Sequence, residues 1–224
     1  MTRHIEHQIA QLKDSILRFG TIVEEAISRS NTALFRQDVD LAQKVMANDG
    51  EIDRLEVELE EECLKVLALY QPVAADLRFV VAVLKINNDL ERIGDLASNI
   101  AKTVSQLTTS GPFNLPEEIS IMAKQAEEMV KNSLDAVVQA DPDLARQVRD
   151  DDDVVDAGRQ AVRTLVMQQI KKNPEKVESL LQINSVSKHL ERIADMATNI
   201  AEDVIYMVEG EIVRHRHRDD MKST

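Results

Sequence analysis

Cysteine is almost missing from this 224-residue chain: Cys63 stands alone, so no intramolecular disulfide can form. Its apolar, helix-patterned surroundings mark it as a small core residue, as free cysteines usually are. Glycine (6), proline (5) and aromatic residues (3%) are scarce, and tryptophan is absent. What is left, chiefly Leu, Ile, Val, Ala, Met, Glu, Lys, Arg and Gln, is the vocabulary of long helices rather than of sheets. Long apolar runs are lacking too. Phe79–Leu84 is among the longest, far short of the roughly 20 residues of a transmembrane helix. The first seven residues carry acid and histidine with no signal-peptide core behind them, so the chain reads as soluble and cytoplasmic. Positive charge is in deficit, 27 Lys and Arg against 40 Asp and Glu, for a net charge of −13. That excludes a general nucleic-acid binder, whose affinity comes from clustered basic side chains. It fits a solvated surface, a cation site or a basic partner.

Catalytic signatures are equally absent. There is no glycine-rich phosphate loop, no Cys/His zinc spacing and no Gly-x-Ser-x-Gly elbow. None of the five histidines follows an acid by three residues, which speaks against a ferritin-like di-iron oxidase. His4, His7, His215 and His217 fall at the two ends, and His189 is placed on the exposed side of its helix. The terminal Arg214-His-Arg-His-Arg218 stretch, within 214–224, reads as a disordered charged tail.

What is present is a repetition. Leu-Glu-Arg-Ile-Gly-Asp-Leu-Ala-Ser-Asn-Ile-Ala at 90–101 returns as Leu-Glu-Arg-Ile-Ala-Asp-Met-Ala-Thr-Asn-Ile-Ala at 190–201, with nine of twelve positions identical. Packing alone would repeat only the apolar positions, yet Glu91/Glu191, Arg92/Arg192, Asp95/Asp195 and Asn99/Asn199 repeat as well. Earlier in each half, Asp38–Val45 matches Asp141–Val148 at five of eight positions, offset by 103. Six helices follow from caps and periodicity: about 5–37, 38–70, 76–107, 116–140, 141–173 and 173–213. The fold class is therefore all-α, two tandem three-helix bundles related by sequence. Residues 1–110 form the first and 111–213 the second, joined across the Gly- and Pro-bearing stretch 108–116. Apolar seams at 3-4 spacing, Phe79 to Leu107 and Ile183 to Met207, account for the apolar half of the repeat.

The polar half gathers into acid pairs. Glu91 and Asp95, and Glu191 and Asp195, lie four residues apart and share one helix face, off the apolar seam. Asp49/Asp53 and Asp152/Asp156 are matching pairs on the preceding helices. Like charges so spaced repel by a few tenths of a kcal/mol. Two readings remain open: four carboxylates per half as hard oxygen ligands for Mg, Ca, Mn or Fe, or a solvated acidic face. Arg92 and Arg192 either pair with neighbouring acids or meet a partner. Asn99 and Asn199 either support the acids or face solvent. Asp76-Leu-Arg78 occurs in the first half only.

These residues, the doubled Leu-Glu-Arg-Ile-x-Asp, the Asp-x-x-x-Asp pairs and Pro72-Val-Ala-Ala-Asp-Leu-Arg78, resemble the PhoU family of phosphate-transport accessory proteins over nearly the whole chain. The resemblance implies a pair of three-helix bundles and a cytoplasmic negative regulator of phosphate uptake and of the phosphate-starvation response, without catalysis. It implies partnership with the ATPase subunit of a Pst-type phosphate ABC transporter and with a sensor histidine kinase, at the inner face of the membrane, and a homodimer. It also implies metal sites, for iron or another cation such as Zn, Mn, Mg or Ca, at Asp49, Asp53, Glu91 and Asp95 and at Asp152, Asp156, Glu191 and Asp195. Gly50 between the first two acids departs from the pattern mildly. A carboxylate-bridged metal enzyme and a purely structural coiled-coil scaffold are the competing classes.

Overall fold

The computed structural model describes residues 2–109, 111 and 113–213, with side chains from residue 5 onward; the charged tail 214–224 and its two histidines lie outside the described residues. The first bundle comprises α1 (Thr2–Arg36), α2 (Val39–Ala47), α3 (Asp49–Tyr70) and α4 (Ala74–Thr109). The second comprises α5 (Glu117–Gln139), α6 (Pro142–Lys172) and α7 (Val177–Glu209), with one 3₁₀ turn at Pro174–Lys176. This is the tandem all-α architecture that the repeat predicts.

The repeat extends into turn geometry. Gln37 and Ala140, 103 residues apart, both take left-handed backbone conformations at φ 55° and 51°. The next residues, Asp38 and Asp141, donate their backbone N–H to Ala33 and Ala136, and their side chains cap the following helices. The Asp38 carboxylate accepts from Leu41 N, and that of Asp141 from Asp143 N and Leu144 N. A capping acid of this kind satisfies amide donors that a helix start leaves unpaired.

Some boundaries differ from the sequence reading. The expected single helix over 38–70 is interrupted at Asn48, whose N–H turns back to Val45 O while its own carbonyl accepts from Glu51 N. These three-residue bonds tighten one turn and divide α2 from α3. The last helix ends at Gly210 rather than continuing to Val213, because Gly210 adopts φ 77° as a left-handed cap and donates to Tyr206 O.

The seams of α4 and α7 are buried throughout, from Phe79 to Leu107 and from Ile183 to Met207. Further positions are buried on both flanks of the seam, Val80 and Ala101 on one and Thr103 on the other in α4, and Ala201 and Ile205 on one and Asp203 on the other in α7. The reason is that α4 and α7 pack against each other as well as against their own bundles. They run antiparallel. Arg78 near the start of α4 donates to Met207 O near the end of α7, and Lys85 pairs with the buried Asp203 at 3.2 Å. Arg78 of the first-half Asp-Leu-Arg element is thus a bundle-to-bundle fastening. A smaller contact joins α1 to α5, where Asn31 donates to Glu127 at 3.2 Å.

Candidate functional site

In each half the acids of the third helix stand beside those of the second. Asp49 and Asp53 open α3 just beyond the Asn48 break, and Glu91 and Asp95 lie on α4. Asp49, Glu91, Asp152 and Glu191 are half-buried; Asp53, Asp95 and Asp156 are exposed, and Asp195 is open to the solvent although protein surrounds much of its carboxyl. The carboxylates therefore line the flank between helices instead of pointing wholly outward.

Their mutual electrostatics reflect that gathering. Burial raises the Asp49 carboxyl above the usual range, and Asp95 and Asp53 raise it further, against a lowering hydrogen bond from Ser98. Burial also raises Glu91, reinforced by Asp95, Glu56 and Asp53, while Arg92 opposes. In the second half Asp152 is pushed up to about 6, first by burial and then by Asp156, Asp195, Asp153 and Glu191. Asp195 is raised by burial, Glu191 and Asp156, with Arg192 opposing. All eight predicted acids thus fall into two groups of four, one in each bundle.

Among the described residues no three His, Cys, Asp or Glu side chains converge closely enough to hold one ion. The donor chemistry of the first group nevertheless fits a hard cation. Its donors are all carboxylate oxygens, and the enclosed Asp49 Oδ1 has no hydrogen-bond partner. The buried Asn87, one turn before Glu91, donates its Nδ2 to Glu56 O at 2.9 Å and leaves its Oδ1 unpartnered. Buried oxygens left without a partner are costly.

The second group has a neighbour that sequence reasoning did not single out. Arg159 on α6 donates Nε to Glu191 Oε2 at 3.2 Å, and Nη1 to Asn184 Oδ1 at 2.9 Å and to Ser187 Oγ at 3.2 Å. The signal was available in the repeat: at offset 103 the counterpart of Arg159 is Glu56.

Between the bundles, Arg92, Asp95, Leu96 and Asn99 of α4 face Arg192, Asp195 and Met196 of α7 across an open cleft of about 460 Å³. Arg92 remains largely exposed, with Asp89 at 4.0 Å. Asn199 approaches Met196 Sδ at 3.9 Å. His189, expected on the exposed side, is half-buried instead. Its Nδ1 is enclosed without a hydrogen-bond partner, and burial lowers its pKa, because it stands at the edge of the seam, four residues before the enclosed Ile193.

Comparison with known proteins places matches over both bundles. The PhoU domain matches residues 16–104 and again 119–204. A relative from Aquifex aeolicus, "Phosphate-specific transport system accessory protein PhoU homolog", is 38% identical over 210 residues, covering 94% of this chain and 95% of its own. The crystal structure of PhoU from Pseudomonas aeruginosa superposes with a TM-score of 0.89 at 35% identity, over 92% of this chain and 99% of that one. That of the phosphate transport system regulatory protein PhoU from Streptococcus pneumoniae gives 0.86 at 30% identity, over 93% and 99%.

Proposed function

The chain belongs to the PhoU family, and from that membership we propose that it is a non-catalytic accessory protein of a phosphate-specific transport system. The observation that carries this reading is coverage: relatives bearing that description match this chain across both bundles, not across one module. No helix among the described residues is long and apolar enough to cross a membrane, so association with a transporter would run through protein partners. The partners proposed are the transporter's cytoplasmic ATPase subunit and a sensor histidine kinase, with the protein acting as a negative regulator between them. Such an adaptor can bias the kinase only by binding one signalling state more tightly than another. The repeated Arg92 and Arg192 faces, exposed on both bundles, are suited to two partners. The exposed apolar side chains Leu69, Val73 and Leu77 around the α3–α4 turn offer a surface for a homodimer.

The two acid groups are proposed as cation sites: Asp49, Asp53, Glu91 and Asp95, and Asp152, Asp156, Glu191 and Asp195. A bound cation would supply charge compensation there, and the carboxylates would tie the second helix of each bundle to its third.

Deletion of the gene should leave phosphate-starvation genes expressed in phosphate-replete medium. Capture of the ATPase subunit and of the kinase would be compared for Glu91/Arg92/Asp95 and Glu191/Arg192/Asp195 variants, changed to neutral residues one half at a time. Normal repression after deletion, with neither interaction altered by either variant, would leave the structural scaffold as the better account.

A further inference from the structure

The two acid groups are equivalent by sequence position but not by surroundings. Arg159 carries a side chain only 14% exposed and spends its donors on Glu191, Asn184 and Ser187. It is thus a fixed cation at the edge of the second group. The same position in the first half is Glu56, whose backbone carbonyl accepts from Asn87 one turn before Glu91, so a negative side chain stands where the second half has a positive one. The partner positions differ in step. Ser187 accepts from Arg159, whereas its counterpart Asn87 turns its amide to the Glu56 backbone and leaves Oδ1 unpartnered. Among the described residues, no Lys or Arg forms an ion pair with Asp49, Asp53, Glu91 or Asp95.

We propose that Arg159 is a resident counter-ion that takes the place of a bound cation in the second half, so that cation loading is confined to the first. This rests on the cation reading above and restricts it. A guanidinium in a fixed hydrogen-bonded setting cannot lose its charge at any ordinary pH. It lowers the negative potential that an incoming divalent ion would need, and it occupies one oxygen of Glu191. Glu56 does the reverse for the first group, deepening the potential that attracts a cation.

The test is Mn²⁺ binding to the full chain, followed by electron paramagnetic resonance with equilibrium dialysis, for wild type, Asp49→Asn/Glu91→Gln, Glu56→Arg and Arg159→Glu. Thermal melts accompany each variant to show that it is folded, and Arg159→Gln serves as a milder second variant. Wild type should load the first half only, and Asp49→Asn/Glu91→Gln should abolish that binding rather than halve it. Glu56→Arg should weaken it at least roughly tenfold, the order expected when a charge beside a partly buried site is reversed. Arg159→Glu, or Arg159→Gln more weakly, should create a second class of sites. If the double substitution only halves the Mn²⁺ bound and neither Arg159 variant adds any, both halves load alike. The counter-ion inference is then overturned while the cation reading stands. If wild type and all variants bind no Mn²⁺, the cation reading itself falls and takes the inference with it.

Discussion

At the scale of single residues, the two halves solve one packing problem in two ways. A Cβ added to Gly94 would stand 2.7 Å from Cδ1 and 2.9 Å from Cγ2 of Ile52. The counterparts of this pair are Ala194 and Val155, both fully buried, so a methyl group has moved from one helix to the other. Gly94→Ala should therefore destabilise the protein by about 1–3 kcal/mol through overpacking, and adding Ile52→Val should restore most of the loss in a denaturant titration. Asp152 gives a prediction in pH. Its carboxyl titrates at about 6 in the fold against an ordinary 3.8, so between those values the folded state holds more protons than the unfolded one. Its contribution to stability is full below pH 3.8 and is lost as pH rises through about 6. In metal-free protein Asp152→Asn should raise the melting temperature at pH 7 by roughly 2–4 °C, if solvent screening leaves about 1 kcal/mol, and should leave it little changed near pH 4. A wild-type melting temperature independent of pH between 4 and 7 would contradict this. The acids were legible in the sequence because polar residues repeat without a packing reason. Arg159 was not, because it differs between the halves, and a search for identity passes over a reversal of charge.

At the scale of elements, the apolar seams decide the register. Ile93 and Ile193 are wholly enclosed, and an aspartate at either place would put an unpaired charge in a packed core at a cost of several kcal/mol. Ile93→Asp or Ile193→Asp should abolish the cooperative thermal transition of its own half, followed by circular dichroism. A mutant that melts like wild type would show the register to be misassigned. Helix starts were readable because Asp38 and Asp141 announce themselves as caps. The break at Asn48 was hidden, since one residue with ordinary right-handed dihedrals, φ −83° and ψ −8°, leaves the apolar period nearly unchanged. The doubled burial of α4 and α7 was only partly visible. Residues such as Asp203 and Thr103 are polar by composition yet enclosed, and only the neighbouring bundle explains them.

At the scale of the whole molecule, α4 and α7 hold the bundles together, and their fastening is one-sided. Lys85→Met removes the cation that faces the buried Asp203 and should cost about 2 kcal/mol or more, as loss of one member of a buried pair does. It should also loosen the bundles, read as faster amide exchange along α4 and α7. Exchange confined to its wild-type rate would show that the docking does not depend on this ion pair. At the opposite end the counterparts of Lys85 and Asp203 are Ser185 and Thr103, which carry no charge. The interface nevertheless has the form of an isologous dimer contact, in which equivalent residues meet across an axis; Asp95 and Asp195, and Arg92 and Arg192, line one cleft. In a homodimer of half-length chains every substitution would fall on both sides of that axis at once. A lysine at one end would bring a second lysine at the other, and a glutamate in place of Arg159 would appear twice. Joining the copies through the 110–116 connection lifts that coupling. One half can then change its charge while the other keeps it, which is what lets a duplicated scaffold set Arg159 beside one acid group and Glu56 beside the other.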